Sequence, residues 1–217
     1  RYDADGNPDG NEFLVNNFIK GIQGDPTITA LADGGFVITW FSRDFDEDIF
    51  IYAQRYDADA SPVGDELQGS PVGYGLDVGS GYNPQITALS DDSFVISAIV
   101  GDEIFVRLFE DGNSFNRLTL GNTDNNSEPA ITTLNDDSFI IAYTFENNIY
   151  AQRLETGSHS DIGILAPGLS QYGYEFLVNT ATDDIQKNPA IAALEDGGFV
   201  ITWSTHVNVY HQAIGIY

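Results

Sequence analysis

The stretch Asp25-Pro26-Thr27-Ile28-Thr29-Ala30-Leu31-Ala32-Asp33-Gly34-Gly35-Phe36-Val37-Ile38-Thr39-Trp40 decides the fold. It predicts two short strands joined by a tight turn, with Leu31 closing the first strand and Phe36 opening the second. Asp33-Gly34-Gly35 supplies the positive φ that a tight hairpin turn needs. The chain is therefore expected to be organised around a β-hairpin.

The same hairpin returns three times along the chain. Its copies begin at Pro84, Pro129 and Pro189, and each runs through a Leu, an acidic turn and a Phe that opens the next strand. The spacing between copies is unequal, which indicates loops of different length around a constant strand core. A period of about 50 residues is typical of propeller blades and similar β-arrays.

Two further strands complete each unit. A third strand follows the hairpin, as in Ile49 to Tyr56, and a strand of the type Glu12-Phe13-Leu14-Val15-Asn16 recurs as Glu175-Phe176-Leu177-Val178-Asn179. No segment has a sustained helical period with caps, so almost no helix is expected. The four predicted repeats cover residues 11–64, 65–115, 116–163 and 164–217.

The resulting prediction is an all-β, four-bladed β-propeller made of four-stranded antiparallel sheets. The last unit supplies three strands, and the N-terminal strand of the Glu12 type would close the last blade, which avoids an open edge. The alternative is an open array cut from a longer protein. In that case further repeats would flank this chain.

Charge is the strongest compositional signal. The chain has 217 residues with 33 acidic and 8 basic side chains, so its formal net charge is −25. Such a surface repels nucleic acid and anionic membranes and attracts cations. It also keeps an extracellular or halophilic protein soluble. No apolar run approaches the roughly 18 residues that span a bilayer, so membrane insertion is not expected.

Cysteine is absent, which excludes disulfides, thiol catalysis and cysteine-ligated zinc. The chain starts at Arg1 without Met, and we expect a mature or excised fragment from which a leader has been removed.

The repeat unit resembles a family of repeats in large secreted bacterial proteins. The residues that carry the resemblance are the Pro-to-Trp hairpin, the Ile149-Tyr150-Ala151-Gln152-Arg153 type of third strand and the Glu-Phe-Leu-Val-Asn strand. RTX-type adhesins and other calcium-rich surface proteins contain such repeats. The resemblance implies a β-propeller-like fold and a place at the cell surface or in the medium. It carries no catalytic motif.

Two acidic stretches are candidate calcium sites. Asp5, Asn7 and Asp9 belong to an Asp-x-Asn-x-Asp-Gly sequence, whose alternating oxygens resemble the first half of a calcium loop. The twelfth position, where a bidentate Glu would confirm the loop, is Asn16. The alternative interpretation is an ordinary polar turn without a bound ion. The second stretch, between strands, contains the candidate ligands Asp44, Asp46 and Asp48, with a solvated charged loop as the alternative.

Exposed aromatic side chains in loops are the candidate ligand-binding residues, because Tyr offers contact area at low entropic cost. These are Tyr74, Tyr82, Tyr172 and Tyr174. Trp40 and Trp203 end equivalent strands, and their repetition favours a core role. The first Asp of each hairpin turn is expected to shape the turn through hydrogen bonds to the backbone.

We therefore predict a non-catalytic binding or adhesion module of a secreted or cell-surface bacterial protein, which binds Ca²⁺ and a glycan or protein partner. One alternative is a structural spacer or assembly repeat. Another is a glycosidase or sialidase-like propeller enzyme. The sialidase alternative is weakened because the Ser-x-Asp-x-Gly-x-x-Trp box is absent and only six arginines are spread along the chain.

Overall fold

The computed structural model describes residues 1–43, 49–71, 83–100, 103–110, 113–122, 129–158, 167–171, 173–206 and 214–216. These residues form strands and turns and contain no helix. The described part of the chain therefore has no helix that is long and apolar enough to cross a membrane. The strands are β1 (Ile22–Ala30), β2 (Phe36–Arg43), β3 (Ile49–Tyr56), β4 (Pro62–Pro71), β5 (Gln85–Ala88), β6 (Phe94–Val100), β7 (Glu103–Glu110), β8 (Asn113–Asn122), β9 (Ala130–Thr133), β10 (Phe139–Phe145), β11 (Asn148–Ser158), β12 (Pro167–Gln171), β13 (Phe176–Leu177), β14 (Ile185–Ala193), β15 (Phe199–His206) and β16 (Ile214–Ile216).

The strands form four antiparallel sheets, and each sheet is a meander in chain order. The first contains β1-β2-β3-β4 and the second β5-β6-β7-β8. The third runs β9-β10-β11-β12, with β13 also paired to β11, and the fourth contains β14-β15-β16. The all-β prediction is confirmed, and so is the antiparallel pairing of the sheets.

The opening hairpin forms as its sequence predicts. Ile28 pairs with Ile38 and Ala30 pairs with Phe36. The Leu31 N–H donates to the Gly35 carbonyl at 2.9 Å, and Gly34 lies at a φ of 88°, where a side chain would be strained. The turn chemistry therefore sets the register of the hairpin.

The sheets stack in sequence, as the blades of a propeller do. The innermost strands β1, β5, β9 and β14 contact one another in turn. We call the side of a sheet that faces the preceding sheet its back face, and the other side its front face. Val37 and Ile51 on the front face of the first sheet pack with Ile86 and Ile96 on the back face of the second.

The same apolar pairing recurs at the next two interfaces. Val95 and Ile104 of the second sheet pack with Phe139 and Ile141 of the third. Ile140 and Ala142 of the third sheet pack with the partly buried Ile191, Phe199 and Ile201 of the fourth. Alternation along each strand thus gives the inner sheets two apolar faces, which is why both are covered.

Among the described residues, the N-terminal segment does not pair with the fourth sheet, as the expected closure of the last blade would require. Residues 11–16 belong to no strand, and the Phe13 ring packs 5.3 Å from that of Tyr56 in the first sheet. The Asn17 N–H donates to Glu66 Oε2 at 3.0 Å, again in the first sheet. These contacts hold the segment on the first sheet, and the described part of the fourth sheet contains three strands.

The second copy of this sequence does form an outer strand. Phe176 and Leu177 pair with β11 of the third sheet, and Val178 packs against the interface with the fourth. The buried Asn179 accepts the Ile149 N–H at 2.7 Å. The Glu-Phe-Leu-Val-Asn sequence therefore pairs with the edge of one sheet and packs against the following sheet.

Candidate functional site

The first Asp of each hairpin turn shapes the turn, as expected. Its carboxylate accepts the backbone N–H two residues later, at 2.7 to 3.2 Å, and the four pairs are Asp33 with Gly35, Asp91 with Ser93, Asp136 with Ser138 and Asp196 with Gly198. The hydrogen bond from Gly35, followed by the one from Arg55, lowers the pKa of Asp33 below its ordinary value. These acids are structural.

An arginine on the third strand extends this arrangement in two of the sheets. Arg55 Nη2 lies 2.8 Å from Asp33 Oδ2 in the first sheet. Arg153 forms the equivalent ion pair with Asp136 in the third. Both guanidinium groups are partly exposed, so the ion pairs orient them more than they stabilise the fold.

The second turn residue links neighbouring sheets, a role that the sequence analysis missed. Asp92 accepts the Asp33 N–H of the first sheet at 3.0 Å. Asp137 accepts the Ser90 N–H of the second sheet at the same distance. Both aspartates have positive φ, of 66° and 60°. The signal available in the sequence was an Asp at the turn position where the first and fourth repeats have Gly, since this position favours a positive φ.

A cavity of about 480 Å³ lies beside the first of these links, at the rim between the first and second sheets, and is lined in part by Asp92. We call it the rim cavity. Its lining comes from β3, β4, the β5–β6 turn, β6 and β7, and consists of Arg55, Val63, Gly64, Asp65, Leu67, Asp92, Phe94 and Phe109. Phe94 and Phe109 stack with their centroids 5.1 Å apart.

The lining of the rim cavity combines hydrogen-bond donors and acceptors with apolar side chains. Arg55 supplies N–H donors, and the carboxylates of Asp65 and Asp92 supply acceptors. Its volume lies in the range of small-molecule sites, about 300–1,000 Å³. The sequence did not reveal it, because the lining residues are far apart in the chain and none forms a motif.

A second concave surface lies on the back face of the first sheet. It has a volume of about 510 Å³, and its lining includes Arg1, Phe13, Ile28, Phe36 and Ile38. Apart from Arg1, the side chains named here are apolar. This surface is therefore suited to another apolar surface more than to a polar small molecule.

The first predicted calcium stretch forms a small hairpin around Asp3. Asp3 Oδ1 accepts the backbone N–H groups of Asp5 and Asn7 at 3.0 and 2.8 Å, and the Asn7 side-chain amide also donates to Asp3. Asp9 pairs with Arg1 at 3.3 Å. The hydrogen bonds that Asp3 accepts lower its pKa, and the one from the Asn7 side chain has the largest effect.

The same turn recurs at Asp57, which accepts the N–H groups of Asp59 and Ser61. Within the part of the chain that the structure describes, no three His, Cys, Asp or Glu side chains are grouped to hold a metal ion. Asp44, Asp46 and Asp48 lie outside the described residues. Calcium binding stays a prediction.

The aromatic candidates divide between core and surface. Trp40 is buried and stacks on Tyr52 with a 5.9 Å centroid separation, which confirms its core role. Trp203 is partly buried and donates to Gln186 Oε1 at 2.9 Å. Tyr174 is exposed and does not line the rim cavity. Tyr74, Tyr82 and Tyr172 lie outside the described residues.

Comparison with known proteins adds information about the fold. No family model and no curated protein matches the chain. A leech intramolecular trans-sialidase in complex with 2,7-anhydro-Neu5Ac has a similar structure, with a TM-score of 0.56 and 15% sequence identity over 87% of this chain and 30% of that one.

A protein of unknown function from Dyadobacter fermentans DSM 18053 is also similar, with a TM-score of 0.50 and 12% identity over 94% of this chain and 61% of that one. The chain therefore spans less than two thirds of either structure. At these identities the likeness concerns the fold alone. The chain has an all-β, propeller-like fold of four antiparallel sheets.

Proposed function

We propose that this chain is a non-catalytic glycan-binding module of a secreted or cell-surface protein, and that the rim cavity is its binding site. The observation that carries the proposal is the grouping of Arg55, Asp65 and Asp92 with the stacked pair Phe94 and Phe109 in the lining of one cavity. Sugars present hydroxyl groups that both donate and accept, beside apolar C–H faces. The cavity offers partners for each of these features.

Preorganisation of Arg55 supports the proposal. The ion pair with Asp33 holds the guanidinium before any ligand arrives, so little side-chain entropy is lost on binding. Asp92 is held in the same way by the Asp33 N–H. A site whose polar groups are already oriented suits recognition of a ligand with a fixed hydroxyl pattern.

The arrangement of carboxylates favours binding over hydrolysis. Glycoside hydrolysis usually needs a pair of acids in two different roles. Of the two acids that line the rim cavity, Asp92 already accepts a backbone hydrogen bond that joins two sheets. Asp65 is then the one carboxylate of that lining that does not join two sheets. A single such acid supports a binding module and disfavours the glycosidase alternative.

The net charge restricts the class of glycan. A chain with a formal charge of −25 repels anionic ligands, so neutral glycans should bind better than sialylated ones. The leech trans-sialidase resembles the chain in fold only, and its sialic acid ligand does not carry over. The predicted calcium would then stabilise the domain, which a thermal melt with and without EDTA tests.

The finer arrangement of the sheets bears on where ligands can bind. The exposed back face of the first sheet favours an array that is open at its ends over a closed ring of four blades. An open array is also compatible with the spacer or assembly alternative. The rim cavity lies between the first two sheets, so the proposal holds for either arrangement.

A glycan array followed by titration of the strongest neutral glycan tests the proposal. Arg55→Ala should weaken binding about tenfold or more, because a charge-assisted donor is lost. Arg153→Ala is the matched control, since it removes the equivalent ion pair in the third sheet and leaves the rim cavity intact. Binding to no glycan, or equal losses in both variants, would overturn the proposal.

A further inference from the structure

The two ends of the array expose side chains whose repeat equivalents are buried or partly buried. Ile28 on the back face of the first sheet is 63% exposed, whereas its repeat equivalent Ile86 is 9% exposed. On the front face of the fourth sheet, Val200 is 46% exposed and its equivalent Val95 is fully buried. Each end is therefore one half of an inter-sheet interface without the other half.

The two exposed faces are complementary halves. At the first interface the front-face residues Leu31 and Val37 pack with the back-face residues Ile86 and Phe94. The fourth sheet has Leu194 and Val200 at these front-face positions, and the first sheet has Ile28 and Phe36 at the back-face positions. An interface between the two would repeat one that the chain already makes three times.

The concave surface on the first sheet is shaped for this partner. Its 510 Å³ is lined by Ile28, Phe36 and Ile38, together with Phe13 of the N-terminal segment. In the third and fourth sheets the equivalent segment pairs with β11 and packs Val178 over the following sheet. Residues 12–16 carry the same sequence, and their Phe13 lies on the back face of the first sheet as Val178 lies on that of the fourth.

Charge at the turns agrees with the same pairing. Turns of successive sheets meet in the array, as when Asn135 Nδ2 donates to the Glu195 carbonyl at 2.8 Å. In a repeated interface the Glu195 turn would meet the Gly34 turn. Arg1 lines the same concave surface as Gly34, so a carboxylate and a guanidinium would be brought together.

We propose that a second copy of this chain docks the front face of its fourth sheet on the back face of the first sheet, head to tail. Both faces are exposed within one chain, so one copy does not satisfy its own ends. A head-to-tail contact leaves one free face of each kind and can extend beyond two copies. The contact uses none of the residues that line the rim cavity, so it is independent of glycan binding.

Analytical ultracentrifugation of the chain and of two single variants tests this. At a salt concentration that screens the net charge, the unmodified chain should form dimers and larger species as its concentration rises. Ile28→Asp and Val200→Asp should each lose every species above the monomer, because an unpaired carboxylate would be buried. Ile22→Asp is the control, since Ile22 is exposed, pairs with Arg43 on the front face of the first sheet and lies on neither end face.

Mixing the two variants gives the decisive result. Ile28→Asp keeps an intact fourth sheet and Val200→Asp keeps an intact first sheet, so the mixture should form a one-to-one dimer that grows no further. This result also shows that both variants are folded. Three outcomes would overturn the proposal: a monomer at every concentration, variants that still self-assemble, or a mixture that stays monomeric.

Discussion

The second and third sheets differ from the first and fourth in burial more than in sequence. Leu89 in the second sheet is 5% exposed, whereas Leu194, at the same repeat position in the fourth, is 41% exposed. The same residue in the same hairpin thus has two environments, and the difference is the presence of a neighbouring sheet. The repeat sequence therefore provides an apolar face on each sheet. Whether that face is buried depends on whether another sheet packs against it.

The turns differ in sequence between the same two groups. The inner sheets use Asp-Asp-Ser, and the end sheets use Asp-Gly-Gly. In the inner sheets the second Asp links to the preceding sheet despite its positive φ. The glycines of the end sheets avoid that strain and provide no link. Turn composition therefore distinguishes the two inner sheets from the two end sheets. The fourth sheet is linked to the third through the side chain of Asn135 instead.

The largest expected effect is on core packing. Leu89→Ala should lower the free energy of unfolding by about 2–5 kcal/mol, because it leaves a cavity between two sheets. Leu194→Ala, at the same repeat position, should cost less than about 1 kcal/mol in dilute solution. Urea denaturation of both variants measures the difference, and equal losses would show that the fourth sheet is covered.

Glycine at the last turn position should distinguish the two end sheets from each other. A Cβ on Gly35 would lie 2.4 Å from the Tyr56 carbonyl oxygen, whereas one on Gly198 would meet Asp196 Oδ1 at 3.1 Å. Gly35→Ser should therefore cost about 1–3 kcal/mol. Gly198→Ser should change stability by less than about 0.5 kcal/mol, since the inner sheets carry Ser here.

Thermal unfolding of the two Gly-to-Ser variants measures this difference. A Gly35→Ser variant as stable as the parent would show that the first turn can move away from β3.

The smallest effect concerns the alkaline stability of an inner sheet. Burial, and then the hydrogen bond to Glu175, raises the pKa of Tyr143 far above its ordinary value of 10.0. The folded state therefore holds the phenol proton more tightly than the unfolded state. This contribution is complete below pH 10.0 and is lost as the pH rises above that value.

The Tyr143→Phe variant isolates this contribution. At neutral pH its melting temperature should be slightly lower than that of the parent, because the substitution removes the hydrogen bond to Glu175. Above about pH 10 its melting temperature should fall less steeply with pH than that of the parent. Melting curves across the alkaline range provide the comparison. Identical slopes would contradict the assignment to Tyr143.

Much of the fold was predictable because its signals are local. The Pro-to-Phe hairpins, the turn acids and the buried Trp40 followed from alternation and turn chemistry within a few residues. The outer strand at Phe176 was also predictable from the repeat. The candidate site was not, because Arg55, Asp65 and Asp92 meet only after two sheets have stacked.

The predicted closing strand shows where local inference stopped. Residues 12–16 and 175–179 have the same sequence, but within the described residues only the second copy pairs with a strand. The first copy instead packs Phe13 on Tyr56. Strand formation needs a partner, and sequence identity alone does not supply one.

The sequence by itself determined that there are four hairpins, that their turns are shaped by aspartate, and that their strands have apolar faces. These properties depend on backbone sterics, side-chain alternation and short-range hydrogen bonds. The tertiary structure alone decided which faces are covered, which polar groups meet at the rim and where the N-terminal segment lies. Those outcomes depend on contacts between residues far apart in the chain, whose free energies compete across the whole array.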